Sequence, residues 1–347
     1  MEILLDYTIE EIEQKIIALG LPKFRAGQVF LGLYKGLSFN EITTLSKDIK
    51  QKLSENFIAQ PVEILKEFES KDGTVKFLFK LHDNNVIEGV LMKYKYGYTL
   101  CVSTQIGCRM HCKFCASGLD GLKRNLSAGE ILGQVVSANK YLNGDLGENR
   151  KITNVVLMGS GEPLDNYDNV TKFLRLVSHE KGLNISERNI SLSTCGLVPE
   201  IRKLTDEDYK ITLTISLHAS TNEKRKEIMP IAFKYSIQEI VSACKYYFEK
   251  TKRRVVFEYV LIKGVNDSEE DVLNLKNLLK GLSSHVNVIA LNEVKESKLT
   301  GTNRQNAAIF VDKLNESGVS ATLRRTMGQD IEGACGQLRR RYLKDNV

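Results

Sequence analysis

From residue 99 onward, short β-branched runs alternate with amphipathic helical stretches, and this alternation limits the fold more than any other feature of the chain. TLCVSTQ (99–105), ITNVVLMG (152–159), NISLST (189–194), KITLTISL (210–217), RRVVFEYVLI (253–262), VNVIAL (286–291) and SATLRRT (320–326) read as strands. SAGEILGQVVSANKYL (127–142), NYDNVTKFLRLVSHE (166–180), SIQEIVSACKYYFEK (236–250), SEEDVLNLKNLL (268–279) and NRQNAAIFVDKLNESG (303–318) read as helices. Ser127 and Glu130 form an S-x-x-E capping box on the first of these. A strand–helix alternation this long predicts a parallel sheet covered by helices, open or curled into a barrel. In such folds chemistry gathers at the carboxyl ends of the strands. A cysteine-rich loop, Gly159–Glu162, Ser193 and Ser216–His218 all fall at such ends.

The chain before residue 90 is different. TIEEIEQKIIALGL, LGLPKFRAGQVFLGLY and SKDIKQKLSENF carry helical periodicity, with Thr8 and Ser46 as caps. TVKFLFKL and NVIEGVLMKYKYGYTL read as strands of a hairpin or small sheet. The expectation is an accessory helical domain with a β connector over 1–90 and a catalytic core over 91–347.

Of 347 residues, 42% are hydrophobic and 27% charged, which describes an ordinary globular protein. No apolar run is long enough to cross a bilayer, and MEILLDYTIEEIEQ lacks the basic start and apolar centre of a signal peptide. These features predict a cytoplasmic protein whose seven cysteines are free thiols, metal ligands or catalytic groups. The net charge of +6 is uneven. Residues 1–90 are slightly acidic, whereas Lys93, Lys95, Arg109, Lys113, Lys123 and Arg124 stand against Asp120 alone between 91 and 126. Arg324, Arg325, Arg339, Arg340, Arg341 and Lys344 form a second basic cluster. Both suit a phosphate backbone, and both also suit a solvated basic face.

The stretch GCRMHCKFCASG (107–118) sets Cys108, Cys112 and Cys115 within eight residues. Structural zinc takes four protein ligands, usually as two C-x2-C pairs or a Cys/His mixture. Only Cys112 and Cys115 have that spacing here, with His111 as a further donor. The competing reading is an iron–sulfur cluster held by three thiolates, with one iron left open to a substrate or cofactor.

The spacing C-x3-C-x2-C, with Phe114 before the third cysteine, resembles the signature of the radical S-adenosylmethionine enzymes. GSGEPLDN (159–166), LSTCG (192–196) and ISLHAS (215–220) are similar to that superfamily's cofactor contacts. CVSTQIGCRMHCKFC, GEPLDN, LSTCGLVP and GQDIEGACGQLR together resemble the RlmN/Cfr family of RNA methyltransferases, essentially from end to end. The resemblance implies a partial (β/α)6 radical SAM barrel. It implies a [4Fe-4S] cluster on Cys108, Cys112 and Cys115, and two molecules of S-adenosylmethionine per turnover. Gly161, Glu162, Ser193, Ser216, Leu217, His218 and Asn292 match the contacts to S-adenosylmethionine. Cys335 matches a cysteine that is first S-methylated; a deoxyadenosyl radical then activates the methyl, which adds to the RNA base. Cys101 matches a resolving thiol that forms a transient disulfide with Cys335, and Glu88 matches the proton acceptor. The expected product is 2-methyladenosine at adenosine 2503 of 23S rRNA, before full ribosome assembly, and at adenosine 37 in the tRNA anticodon stem-loop. A flavodoxin or ferredoxin is the expected electron donor and a monomer the expected state. Cfr-type methylation of carbon 8 shares the same cysteines. A non-catalytic, zinc-stabilised RNA-binding protein is the reading of another class.

Overall fold

The structure is a computed structural model that describes residues 1–291, 297–325 and 327–331. Asn292, Arg339–Arg341, Lys344 and Cys335 lie outside the described residues.

The N-terminal module is helical, as its periodicity predicts. Strand β1 (Glu2–Ile3) leads into α1 (Ile9–Ala18), where Thr8 and Glu11 cap each other's backbone N–H groups. Helices α2 (Arg25–Tyr34) and α3 (Lys47–Asn56) follow. Strand β2 (Phe57–Ile58) returns to pair in parallel with β1. Ile12, Ile16, Val29, Phe30, Leu33 and Leu53 form the module's buried stripe.

Four antiparallel strands come next: β3 (Val62–Glu69), β4 (Val75–Leu81), β5 (Val86–Tyr94) and β6 (Gly97–Cys101). The KYKYGY stretch is the tight hairpin between β5 and β6. A small hairpin, β7 (Gln105–Gly107) and β8 (Leu122–Asn125), then frames the cysteine loop. The alternating part runs α4 (Ala128–Tyr141), β9 (Ile152–Leu157), α5 (Tyr167–Ser178), β10 (Ile190–Thr194), α6 (Val198–Asp206) and β11 (Thr212–Ser216). It continues through α7 (Asn222–Ile228), α8 (Ile237–Thr251), β12 (Val255–Leu261), α9 (Glu269–Leu279), β13 (Ser284–Ala290), α10 (Arg304–Glu316) and β14 (Ala321–Leu323).

One ten-stranded sheet takes the order β14-β13-β12-β11-β10-β9-β6-β5-β4-β3. All pairings from β6 to β14 are parallel, and six of those strands are each followed by a helix before the next. This is the expected (β/α)6 arrangement, with β14 added at one edge. The β connector proves to be the antiparallel continuation of the same sheet. The expected boundary at residue 90 falls inside β5. Two buried or half-buried polar contacts help dock the helical module on the core. Asp6 Oδ1 accepts the Gly129 N–H at the start of α4 (2.5 Å), and Tyr34 Oη donates to the Leu176 carbonyl of α5 (3.0 Å).

Strand register separates the sheet into two unlike faces. Cross-strand partners point the same way, and alternate residues point oppositely. Val156 pairs with Cys101 and Ser191; Ser193 pairs with Thr214; Ser216 pairs with Glu258; Glu258 pairs with Asn287; Asn287 pairs with Thr322. This polar row is one face, the lumen. Leu157, Leu192, Leu213, Ile215, Phe257, Tyr259, Val286 and Val288 form the other face, fully buried in the main core beneath the helices. Adjacent residues on β10 test this division. Leu192→Ala should lower unfolding free energy by about 2–5 kcal/mol through a core cavity, whereas Ser191→Ala should change it by less than about 1 kcal/mol. Urea denaturation of both variants measures the difference, and equal losses would contradict the assignment of faces.

Candidate active site

The cysteine loop is held at both ends. Gly107 has φ +80°, and a Cβ there would meet the Gly121 carbonyl oxygen at 1.9 Å, so only glycine closes the hairpin. Cys108 N–H donates to that same carbonyl (3.0 Å). Arg124 on β8 forms a two-pronged bond to Glu130 of α4 (2.7 and 2.8 Å) and reaches Asp83 (2.7 Å). Lys113 N–H donates to the Ile228 carbonyl (2.9 Å), tying the loop to the end of α7. Burial pushes the Cys108 thiol up to about 12 and raises Cys112 further; Cys115 adds to both shifts and Cys108 adds to that of Cys112. Thiolates here need a positive partner. His111 Nδ1 is 3.0 Å from the Gly118 carbonyl oxygen, so that ring nitrogen already has a partner.

The loop after β9 closes over the cysteine hairpin. Gly161 has φ +109°, and a side chain would strike Gln105. Gln105 Oε1 accepts the Glu162 N–H (2.8 Å), and its Nε2 donates to Asp165 (2.8 Å), which also binds Arg109 Nε (2.8 Å). The buried Glu162 carboxylate accepts N–H groups from Cys195 (2.7 Å) and Leu164 (3.1 Å). Burial raises its pKa, and those two donors oppose the shift.

The strand ends of β10 and β11 meet through Ser193 Oγ and Ser216 Oγ, 3.3 Å apart. Leu217 and His218 both donate N–H to the Glu258 carbonyl. His218 takes a left-handed backbone (φ 56°) and its Nδ1 accepts the Val260 N–H (3.1 Å), leaving the proton on Nε2. Burial, aided by Arg225, depresses its pKa to about 3. Phe114 packs edge-on against the His218 ring, with centroids 4.8 Å apart. The aromatic before the third cysteine thus joins the cysteine loop to the SLH motif.

Cys101 and Glu88 share the lumen face. Cys101 pairs with Val90, and Glu88 lies two residues away along β5, on the same side. Glu88 is buried and ion-paired with Lys76 Nζ at 3.2 Å, and Lys76 has no exposed surface. Cys101 packs in a small apolar cluster with Val90, Met92, Val156, Met158 and Met327. Met327 stands eight residues before Cys335. Gly328 N–H donates to Asp72 (3.0 Å), and Asp330 accepts from Ser70 Oγ (2.5 Å), which fixes the approach of the C-terminal segment to this edge.

Residues 102–275 match the Radical SAM superfamily, and residues 3–59 match the Ribosomal RNA large subunit methyltransferase N-terminal domain. A protein of Clostridium perfringens (strain 13 / Type A), named probable dual-specificity RNA methyltransferase RlmN, is 54% identical over 99% of this chain and 98% of its own. One of the same name from Clostridium novyi (strain NT) is 50% identical over the full length of both. A crystal structure of a radical SAM methyltransferase from Sphaerobacter thermophilus superposes with a TM-score of 0.92 at 39% identity, covering 97% of this chain and 99% of the other. The chain belongs to the RlmN family of the radical SAM superfamily.

Membership of the RlmN family brings a [4Fe-4S] cluster and S-adenosylmethionine, and the residues present fit both. Three thiols on one short loop, Cys108 buried and Cys112 and Cys115 half-buried, stand at the carboxyl ends of the strands, beside a buried cation. A closely turned Gly161–Glu162 backbone and two facing serines lie next to them. Among the described residues no three His, Cys, Asp or Glu side chains converge tightly enough to hold a single metal ion. A cubane asks less convergence, since each thiolate meets a different iron.

Sequence reasoning missed two buried cations. Lys76 lies within the apolar run VKFLF, where a charge on a strand is itself a signal. Arg225 sits in NEKRKEI, where every neighbour hides it. Cys195 and Cys244 read as core, and both are buried; Cys195 also lies within electrostatic reach of Cys112.

Two outcomes follow from these buried groups. Lys76→Met should destabilise the fold by about 3–5 kcal/mol, because it strands a buried carboxylate, and Lys76→Met/Glu88→Gln should recover part of that loss. A double variant no more stable than the single one would break the pairing. His218 should stay neutral, as the Nε2–H tautomer, from pH 8 down to the acid limit of the fold, read by nitrogen-15 NMR. Its folded pKa lies below the unfolded value of about 6.5, so its contribution to stability is complete above that pH. That contribution declines as pH falls toward about 3. A His218 titration midpoint near 6.5 would overturn the assignment.

Proposed function

We propose that this chain methylates carbon 2 of adenosine 2503 in 23S rRNA and of adenosine 37 in tRNAs, through a methylated Cys335. The observation that carries this reading is the lumen edge, where Glu88, Cys101 and the approach to Cys335 come together. Carbon 2 of adenine lies between two ring nitrogens and is too electron-poor to attack a sulfonium methyl. The carbon must therefore be delivered as a radical, from a thiol that first took it as a nucleophile. The cluster and S-adenosylmethionine, when bound, supply the one-electron chemistry; Cys108, Cys112 and Cys115 hold the cluster. Gly161, Glu162, Ser193, Ser216, Leu217, His218 and Asn292 seat the methionine and nucleoside parts of S-adenosylmethionine.

The chain's own residues do the rest. Cys335 carries the one-carbon unit to the base. Glu88 accepts the proton from carbon 2, a role open to a carboxylate held beside the reacting base. Cys101 then attacks the Cys335 sulfur; an S–S bond forms as the S–C bond to the product breaks. The target adenine must be unpaired so that its edge can enter the lumen. Tyr96 is 63% exposed at the β5–β6 hairpin and stacks at 5.0 Å on Tyr94, next to Lys93 and Lys95. This platform suits a base and its phosphate. The protein acts in the cytoplasm as a monomer, with one-electron supply from a flavodoxin or ferredoxin.

Two experiments test this reading. Cys101→Ala should accept the methyl, attack the adenine and stall. Ribonuclease digestion followed by peptide mass analysis should therefore find a nucleotide on the Cys335 peptide. Cys335→Ala should carry none. An unmodified peptide with normal RNA methylation in Cys101→Ala would make Cys101 a core cysteine. Lys93→Glu/Lys95→Glu should raise the KM for RNA several-fold with little change in kcat, and the fold-change should shrink at higher salt. An unchanged KM would remove this hairpin from the RNA surface.

A further inference from the structure

Arg225 heads the largest fully buried side chains among the described residues. Three of its bonds go to backbone carbonyls at the ends of β10 and β11. Nε donates to Leu217 (3.1 Å), and Nη2 donates to Cys195 (2.6 Å) and Ser216 (3.2 Å). Nη1 is equally buried and has no hydrogen-bond partner. Ionisation of the Cys112 and Cys195 thiols, rather than of a carboxylate, is what would set negative charge against this guanidinium. A buried guanidinium without a counter-anion is strongly disfavoured. The fold nevertheless spends three carbonyls on fixing its position.

An oxidised [4Fe-4S] cluster with three thiolates carries one net negative charge, and reduction adds a second. A fixed cation beside a ligand stabilises the reduced form more than the oxidised form. We propose that Arg225 is the counter-cation of the iron–sulfur cluster and, through its charge, holds the cluster's reduction potential up. This rests on the assignment of Cys112 as a cluster ligand. The same cation could instead serve the carboxylate of S-adenosylmethionine. However, Nη1 is closed off from open space, so Arg225 acts through its charge, and the ionisable groups that act on it are Cys112 and Cys195.

The test is a potentiometric titration of the reconstituted enzyme, followed by electron paramagnetic resonance without S-adenosylmethionine. Arg225→Gln should shift the midpoint to more negative potential with iron and sulfide content unchanged. Arg225→Lys, which keeps the charge, should shift it less. An unmoved midpoint in a fully loaded Arg225→Gln overturns the proposal. So does weaker S-adenosylmethionine binding with the midpoint unmoved, which would assign the guanidinium to the carboxylate. If Arg225→Gln fails to take up a cluster, the unsubstituted protein decides. With arginine labelled by nitrogen-15 at the guanidinium, pulsed resonance of the reduced cluster should show a nitrogen-15 coupling that survives in Arg109→Lys. Absence of that coupling overturns the proposal. Full iron retention in Cys112→Ala would instead remove the underlying ligand assignment, an outcome the titration does not produce.

Discussion

A period-two alternation on the barrel strands is the constraint on which the site depends. Helices cover one face of a parallel barrel, and that face must be apolar. On β10 and β11 the covered residues are Leu192, Leu213 and Ile215, and between them come Ser191, Ser193, Thr214 and Ser216. A closed barrel fills its lumen with branched apolar side chains. Here the lumen positions are short and polar, which leaves space and hydrogen-bonding groups for a ligand. A slip of one residue would bring Leu192 and Ile215 inward and bury the two serines under helices. The cofactor face and the hydrophobic core are therefore specified by the same pattern.

Against that polar lining the fold sets a few buried charges, each handled differently. Glu162 is raised by burial yet satisfied by two backbone donors across a loop. Glu258 is raised by burial as well, with Asn287 donating to Oε1 at 3.0 Å and Arg324 Nη1 3.6 Å from Oε2. Glu88 has Lys76. Arg225 has carbonyls and thiols. A core that sought only stability would replace such groups by apolar ones. Their concentration at the strand ends and the lumen edge marks where function, rather than folding, selected the residue.

Much of this was legible from residues alone. The parallel strands of the alternating region and its longer helices are readable because each buries a face under a strict period, whereas the short α6 and α7 are not, and the motifs can be placed at strand ends for the same reason. The β connector was misjudged as a separate small sheet. Pairing of β6 with β9 is a long-range event across residues 101–152 that no local window reveals. Arg225 illustrates the harder limit. NEKRKEI reads as a solvated helix turn, and only the packing of α7 against two strand ends shows that its central cation is inside. Lys76 is readable in part: a lone charge in VKFLF signals an edge or a partner, but register sets it opposite Val90, and only the packed side chains name the diagonal Glu88 as that partner.

The proposed chemistry needs two thiols to meet after one has visited the substrate, and chain length limits how far Cys335 can stand from Ile331. Cys101 is fixed on β6. Cys335 follows Ile331 by four residues, so its backbone reaches at most about 14 Å from Ile331 even when fully extended. Ile331 is itself tethered, since Gly328 is bonded to Asp72 and Asp330 to Ser70. The Gly328 N–H holds Asp72 down at about 2, and Ser70 lowers Asp330. Both carboxylates titrate below their unfolded values, so the tether is fully present above the usual carboxylate range; the Asp72 contact is lost as pH falls toward about 2, and the Asp330 contact also weakens on acidification. Under the proposed mechanism, chain length thereby limits how far Cys335 can stand from the tethered residues. Disulfide formation becomes an encounter at high effective concentration rather than a search by a long tail.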